Sequence, residues 1–185
     1  NELFFGWWSL SSFISKFNET YLYRYDTIGV LMANLINYKM LINGAWVNAS
    51  NGKTFNSTNP TTGEIWCSIP ESTEADVNNA VESAYLAFSE GPWSKMTPTQ
   101  RGDCLRRLAE VLANKSEDLG RVETVDTGKM LKETKWQAKY ISQFFNFYAG
   151  CADKVSGDTL PIDKPDLFVF TNREPLGVVA AVVPW

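Results

Sequence analysis

The residue types that carry nucleophilic and metal chemistry are sparse in this sequence. It contains no histidine and three cysteines, Cys67, Cys104 and Cys151. Without histidine, the Ser/His/Asp and Cys/His pairs that activate a nucleophile cannot form within this chain. The commonest zinc ligand is absent too, and the cysteine spacing fits no metal-binding pattern. We therefore interpret the cysteines as reduced, small buried side chains of a cytoplasmic protein, and we predict no metal site.

Acidic pairs and phosphate-binding loops do not supply a catalytic site either. Asp and Glu pairs are frequent, but they fall on predicted helix surfaces, where solvated charges explain them. Neither a G-x-G-x-x-G nor a Walker pattern occurs. The net charge of −4 and the absence of a basic stripe argue against nucleic acid as a partner. No apolar run reaches the ~18 residues of a membrane helix, so no membrane partner is expected. Spacing alone therefore predicts an α/β domain without catalytic residues.

Short strands and tight turns are predicted for residues 41–69. Asn51-Gly52 is interpreted as the two-residue turn of a hairpin, because both residue types tolerate positive φ. Pro60 and Gly63 indicate a second turn, and a strand is predicted over residues 64–69.

Helix start and stop signals follow. Thr73 and Thr97 are predicted N-caps, the second with proline at the first helical position and glutamine at the capping-box position. A further helix is predicted from Ser116, with Gly128 as the left-handed residue that ends it. A long helix is predicted over residues 131–149.

Four aromatic side chains share one side of that long helix. Trp136, Tyr140, Phe144 and Phe147 recur at helical spacing. Such a stripe is more often core packing than a ligand site, so we expect these rings to be buried.

The last thirty residues change character. Residues 157–162 and 167–173 are predicted to be extended and joined by a turn at residues 163–166, which makes 155–173 a β-hairpin. Residues 178–183 are apolar at every position. This pattern is typical of a strand buried on both faces of a parallel sheet.

Residues 1–38 differ from the rest of the chain. The first stretch is apolar and aromatic without a clean period, and Met32 could be a natural start. We expect that the first 31 residues are not part of the fold. A membrane-surface extension is the competing interpretation, although few basic residues support it.

From about Met40 to Trp185, the order of motifs resembles the aldehyde dehydrogenase superfamily. The motifs that carry the resemblance are LINGAWVNASNGKTFNSTNPTTGEI, ADVNNAVESAYLAF with a following tryptophan, RGDCLRRLAEVL, ETVDTGK, YAGCADK, REPLGV and VVPW. Each motif is weak alone, and their shared order makes the match specific.

The resemblance implies an α/β fold, of which residues 39–185 are the amino-terminal part. That part has an opening β-hairpin, helices, an oligomerisation hairpin at 155–173 and the first strand of a Rossmann-like parallel sheet at 178–183. The interpretation depends on the segment 178–183 being this buried strand rather than lying on the outside.

The resemblance also implies binding sites. Val182, Val183, Pro184 and Trp185 match the stretch that lines the NAD or NADP cofactor, largely through its backbone. Tyr140 would lie near the aldehyde entrance. The family's oxyanion asparagine follows the P-W pair, and its nucleophilic cysteine and general-base glutamate lie further along the chain. No catalytic residue is therefore assigned in this sequence.

The resulting hypothesis is an incomplete NAD(P)-dependent aldehyde dehydrogenase that assembles as a homo-oligomer through the 155–173 hairpin. One alternative is a non-catalytic binding or assembly module, derived from the same fold, that docks onto full-length subunits. A second alternative is a membrane-associated protein that uses the aromatic amino-terminal stretch.

Overall fold

The computed structural model describes residues 35–183, and the expectations for residues 1–34, Pro184 and Trp185 lie outside this range. Seven short strands and four α-helices occur within it. The first five strands are β1 (Ile36–Asn37), β2 (Met40–Ile42), β3 (Ala45–Val47), β4 (Thr54–Thr58) and β5 (Ile65–Pro70). The helices are α1 (Glu74–Ser89), α2 (Pro98–Asn114), α3 (Ser116–Thr127) and α4 (Leu131–Cys151), with a 3₁₀ turn at Pro92–Lys95. The last two strands are β6 (Thr159–Leu160) and β7 (Val169–Phe170).

The opening hairpin turns at a different Asn-Gly pair from the one predicted. Strands β2 and β3 are antiparallel, and Asn43 and Gly44 between them have φ of 50° and 70°. A turn does occur at Asn51-Gly52, where Gly52 has a φ of 67° and donates its amide to the Ala49 carbonyl at 2.8 Å, but β3 and β4 on either side of it do not pair, so the predicted hairpin there was wrong. The side chain of Asn51 instead accepts a hydrogen bond from the Lys53 amide at 2.8 Å, which closes a local turn. Both glycines have positive φ, and only the first Asn-Gly pair connects two strands that pair with each other.

A three-stranded sheet holds the buried centre of the β region. The strand order is β1-β5-β4, with β4 antiparallel and β1 parallel to β5. The predicted turn between β4 and β5 is confirmed, because Gly63 has a φ of 75° and donates its amide to the carbonyl of Asn59 at 2.8 Å. Strand β1 pairs at Ile36–Asn37, so the sheet begins before the boundary predicted at residue 38.

Helix α1 begins at the predicted cap and is tied to the preceding loop. Thr73 and Asp76 form a reciprocal capping box, in which the Asp76 carboxylate accepts the Thr73 amide at 2.9 Å. The same carboxylate accepts the amide of Ser50 at 3.1 Å and its hydroxyl at 3.2 Å. These hydrogen bonds, the Thr73 amide first, lower the pKa of Asp76 below its ordinary value. One buried carboxylate thus joins the loop before β4 to the first turn of α1.

The remaining helix boundaries follow the predicted signals. Thr97 caps α2 through a capping box with Gln100, and Pro98 occupies the first turn. Gly128 ends α3 with a φ of 74°. Helix α4 extends two residues beyond the predicted end at residue 149.

Small residues let α4 lie close to α2 and α3. A β-carbon added to Gly102 would come within 2.7 Å of the carbonyl oxygen of Ala149, and one added to Gly120 within 2.7 Å of the Lys135 backbone. Between α3 and α4, the hydroxyls of Thr124 and Thr134 share a 2.8 Å hydrogen bond, which satisfies two partly buried polar groups. Backbone contact, rather than large interlocking side chains, therefore determines the spacing of these helices.

The aromatic stripe of α4 points away from this contact. Trp136, Tyr140, Phe144 and Phe147 are all exposed, so the expectation of core packing was wrong. Thr134, Ala138, Ser142 and Ala149 are the buried residues of the helix instead. Helical spacing placed the four rings on one face, but it could not show which face the neighbouring helices cover.

The carboxyl-terminal part of the described chain contains one of the two predicted β features. Strands β6 and β7 pair in an antiparallel hairpin within 155–173, and the turn is closed by the Leu167 amide and the Lys164 carbonyl at 3.2 Å. Residues 178–183 form no strand. The predicted buried strand there was wrong for this structure, because a parallel strand needs a neighbouring strand and none of residues 35–177 provides one.

Substituting Gly120 with alanine tests the helix contact. The new methyl group must push α3 away from α4, so Gly120→Ala should lower the free energy of unfolding by about 1–3 kcal/mol. Urea denaturation followed by circular dichroism measures the change.

Gly150→Ala is the matched control, because no atom lies within 4 Å of a β-carbon at that position in α4. It should be neutral or should stabilise the protein by at most about 1 kcal/mol through helix propensity. Equal effects of the two substitutions would contradict close packing at Gly120.

The lowered pKa of Asp76 predicts an acid-dependent loss of stability. The ionised carboxylate stabilises the folded state above the unfolded pKa, and this contribution disappears as pH falls through the lower folded pKa. Asp76→Asn should therefore lower the free energy of unfolding near pH 7. In this variant, the free energy of unfolding should also fall less steeply below about pH 4. Thermal unfolding at a series of pH values measures both, and an unchanged pH profile in the variant would refute the assignment.

Candidate functional site

A cavity of about 540 Å³ lies between the β1-β5-β4 sheet and helices α3 and α4. Its wall is mainly apolar, with a few polar groups on the α3 side. The residues that matter for its chemistry are Tyr38, Trp66, Cys67, Glu123, Asp126 and Ile141. Apolar clefts with a few convergent polar groups are the usual form of small-molecule sites, so this partly open cavity is a candidate site.

Asp126 is one of the two acids that line the cavity. Its Oδ1 accepts the hydroxyl of Ser57 at 2.5 Å and the indole N–H of Trp66 at 3.3 Å. The indole also donates to the Ser57 hydroxyl at 3.3 Å. Because Ser57 and Trp66 lie on β4 and β5, this carboxylate attaches α3 to the sheet. The hydrogen bonds to Oδ1 therefore have a structural role.

Cys67 is fully buried on β5 and lines the same cavity. Burial, followed by the negative charge of Asp126, raises the pKa of its thiol to about 11. The thiolate is the reactive form of cysteine, so this environment opposes nucleophilic attack. The structure therefore agrees with treating Cys67 as a buried apolar side chain.

An ion pair lies on the α3 side of the cavity. Lys129 Nζ donates to Glu123 Oε1 at 2.8 Å, and both side chains are partly buried. Within residues 35–183, no group of three or more His, Cys, Asp or Glu side chains has the geometry to hold a metal ion. The described cavity thus combines structural polar contacts with an apolar wall.

Tyr140, the predicted substrate residue, lies on the exposed face of α4. Its ring stacks on Trp136 with centroids 4.9 Å apart and planes 11° from parallel. Phe144 meets the same ring edge-on at 5.3 Å. Tyr140 does not line the 540 Å³ cavity, although its neighbour Ile141 does.

The predicted cofactor segment is only partly described. Val182 is 97% exposed and Val183 is 70% exposed, and Pro184 and Trp185 lie outside the described residues. Before this segment, Gly177 lies beside the ring of Phe88 on α1. Neither Val182, Val183 nor Tyr140 lines the 540 Å³ cavity.

Comparison with known proteins decides the family. The sequence profile of the aldehyde dehydrogenase family matches residues 46–185. The chain belongs to the aldehyde dehydrogenase family. The exposure of residues 178–183, on which the sequence interpretation depended, does not overturn the assignment, because the match extends over most of the chain.

Individual aldehyde dehydrogenase relatives agree. The chain is 43% identical over 148 residues to (Z)-2-((N-methylformamido)methylene)-5-hydroxybutyrolactone dehydrogenase of Acinetobacter baylyi, a match that covers 80% of this chain and 30% of that protein. A mutant aldehyde dehydrogenase from Bacillus cereus superposes with a TM-score of 0.72 at 34% identity, over 76% of this chain and 28% of that one. A mutant betaine aldehyde dehydrogenase from Staphylococcus aureus, solved with NAD+, gives 0.66 at 34% identity, over 71% and 26%.

These comparisons define what is shared. The chain spans about 30% of the length of the curated relative. Its mixed α/β fold is the amino-terminal part of the aldehyde dehydrogenase fold, as the resemblance implied. None of the α-helices within residues 35–183 is both long and apolar enough to span a bilayer.

Sequence reasoning missed two features of this aldehyde dehydrogenase chain. The Ser57–Trp66–Asp126 contact joins residues that are 69 positions apart at most, and no local pattern predicts it. The exposed Trp136–Tyr140 stack was predicted as core. The i, i+4 spacing of the two rings was the available signal for their mutual contact, but it carried no information on exposure.

Thiol labelling tests the environment of Cys67. At pH 8 and a pKa of about 11, roughly one Cys67 thiol in a thousand is ionised, and it is fully buried. Iodoacetamide should therefore modify partly exposed Cys151 well before Cys67 in the native chain. Mass spectrometry of tryptic peptides measures both rates, with denatured chain as the control in which all three cysteines react. Fast labelling of Cys67 in the native chain would contradict its buried, protonated state.

Proposed function

We propose that this chain is part of an enzyme that oxidises an aldehyde to a carboxylic acid with NAD or NADP. The observation that carries the proposal is the aldehyde dehydrogenase match over residues 46–185. The Staphylococcus aureus relative solved with NAD+ supports a nicotinamide cofactor. Such a cofactor accepts hydride when bound, and the protein supplies its binding and orientation.

In this proposal, the backbone of Val182, Val183, Pro184 and Trp185 forms one wall of the cofactor site. Val182 and Val183 lie in an exposed segment without regular secondary structure, so their peptide groups are accessible to a ribose or amide of the cofactor. Ligands of open α/β sheets bind beyond the carboxyl ends of strands, which is where this segment would lie in a completed sheet.

Tyr140 is proposed to lie at the aldehyde entrance. Its ring is partly exposed and is fixed by Trp136 on one face and Phe144 at its edge. A side chain held in this way can restrict the position of a substrate without taking part in proton transfer.

The chemical steps are assigned to residues that this chain does not provide. Cys67 is buried and protonated, and neither Cys104 nor Cys151 has a histidine to activate it. The role of the chain is therefore to position cofactor and aldehyde and to exclude water from the reacting atoms.

The 155–173 hairpin is proposed as the surface through which subunits form a homo-oligomer. Leu167, Phe168 and Phe170 are exposed on or beside β7, and large exposed apolar side chains in a hairpin are typical of an interface. The alternative of a non-catalytic assembly module uses this same surface. A cytoplasmic location is proposed as well, because the three cysteines are free thiols.

Activity of the chain by itself is the first test. The purified 185-residue chain should oxidise no aldehyde with NAD or NADP, because it lacks an activated nucleophile and a general base for the thioester step. Absorbance at 340 nm over a panel of aldehydes measures this, and turnover by the purified chain would contradict the assignment.

A chimera with a longer relative provides the experiment in which activity is expected. Residues 46–185 would replace the matching stretch of the Acinetobacter baylyi relative, with that unmodified enzyme as the control. The chimera should oxidise aldehydes with NAD or NADP. A folded chimera that binds no nicotinamide nucleotide and oxidises no aldehyde would refute the proposed function.

A further inference from the structure

The chain that leads into the proposed cofactor segment is held most closely at Gly177. Residues 171–176 and 178–183 are all exposed, whereas Gly177 is partly buried. A β-carbon added to Gly177 would lie 3.7 Å from Cε1 and 3.9 Å from Cδ1 of Phe88, so this ring flanks the glycine. Leu176, immediately before it, is 96% exposed and contributes almost no contact. The contact between this part of the chain and α1 is therefore made by backbone against a ring.

Phe88 projects from a helix end whose backbone is fixed by hydrogen bonds. The amides of Glu90 and Gly91 both donate to the carbonyl of Leu86, at 2.9 and 3.2 Å. Gly91 has no room for a β-carbon beside the carbonyl of Ala87. At its other end, α1 is tied to the preceding loop by the capping box described above. The ring of Phe88 therefore gives Gly177 a support of defined position.

The conformation of Gly177 sets the direction of the residues that follow. Its φ is 103°, a value that residues with a side chain rarely adopt. Val182 comes five residues later, so it lies at most about 18 Å from Gly177 along an extended chain. At that distance, a rotation of about 30° at Gly177 would displace Val182 by up to about 9 Å. A backbone recognises a ligand only when its N–H and C=O groups lie at hydrogen-bond distance, so a displacement of this size would abolish recognition.

We propose that Phe88 and Gly177 are positioning residues of the cofactor site. The ring of Phe88 supports the backbone at Gly177, and Gly177 gives the chain the direction that brings residues 182–185 to the nicotinamide nucleotide. This inference rests on the proposed function, because it explains how the cofactor wall is placed. Neither residue touches the cofactor, so both act on nucleotide binding through the segment that follows them.

Nuclear magnetic resonance of the full 185-residue chain tests the contact itself. A nuclear Overhauser effect should connect the Hα protons of Gly177 with the ring protons of Phe88, and it should disappear in Phe88→Leu. Absence of this effect in a chain that gives the signals of folded helices would overturn the proposal.

Steady-state kinetics of the chimera that carries residues 46–185 test the effect on the cofactor. Phe88→Ala should raise the KM for the nicotinamide nucleotide about tenfold, the equivalent of one lost apolar contact, while kcat and the KM for the aldehyde stay nearly constant. Phe88→Leu keeps an apolar side chain at the contact and should recover most of the affinity. Gly177→Ala should raise the same KM without removing a side chain, because alanine rarely adopts a φ of 103°.

Leu86→Ala is the matched control. Leu86 is an exposed apolar residue of the same helical turn, but it lies two positions from Phe88 and so on roughly the opposite side of α1. Its truncation should leave the nucleotide KM unchanged. Thermal unfolding of each variant separates positioning from stability, because a merely structural contact would lower the melting temperature and leave the nucleotide KM as it was.

The outcomes distinguish this inference from the function on which it rests. An unsubstituted chimera that folds but oxidises no aldehyde would refute the proposed function and this inference with it. An active chimera whose nucleotide KM is unchanged in Phe88→Ala and Gly177→Ala, or rises equally in Leu86→Ala, would refute this inference alone. If Phe88→Ala does not fold, Gly177→Ala decides the question.

Discussion

The close approach of α4 to α2 and α3 is the constraint on which the rest of the helical structure depends. Gly102 and Gly120 leave no room for a β-carbon, and buried Thr134 and Ala149 complete the contact from α4. Small residues bring backbones together and so fix the rotation of α4 about its axis. That rotation places Ala138 toward the sheet and turns Trp136 outward.

Carboxylates join the β region to the helices. Asp126 receives hydrogen bonds from Ser57 and Trp66, and Asp76 connects the loop at Ser50 to α1. Each acid replaces its lost hydration with oriented donors, which is the condition for placing a charge in a protein interior. Of these residues, Trp66 and Asp126 also line the cavity between sheet and helices, whose wall is mainly apolar.

Local signals in the sequence predicted the helix boundaries well, because caps act through adjacent residues. Two threonines cap helices and one glycine ends a helix, as their residue types favour: Thr73, Thr97 and Gly128. The errors concern non-local choices. The Asn43-Gly44 and Asn51-Gly52 pairs are locally equivalent, and the burial of the α4 rings depends on which neighbours surround them. For the candidate site, the motif order gave the family, whereas Val182 and Val183 lie apart from the cavity that the described residues form.

The open segment 178–183 has a consequence for the behaviour of the molecule in solution. Its valines are exposed, and its peptide N–H and C=O groups form no ladder with another strand in residues 35–183. An exposed apolar segment outside any strand ladder can serve as a template for edge-to-edge association between copies. A higher chain concentration should therefore shorten the time for which the molecule stays unassociated, and chaperones should lengthen it. Both effects are independent of how well the helical region is folded.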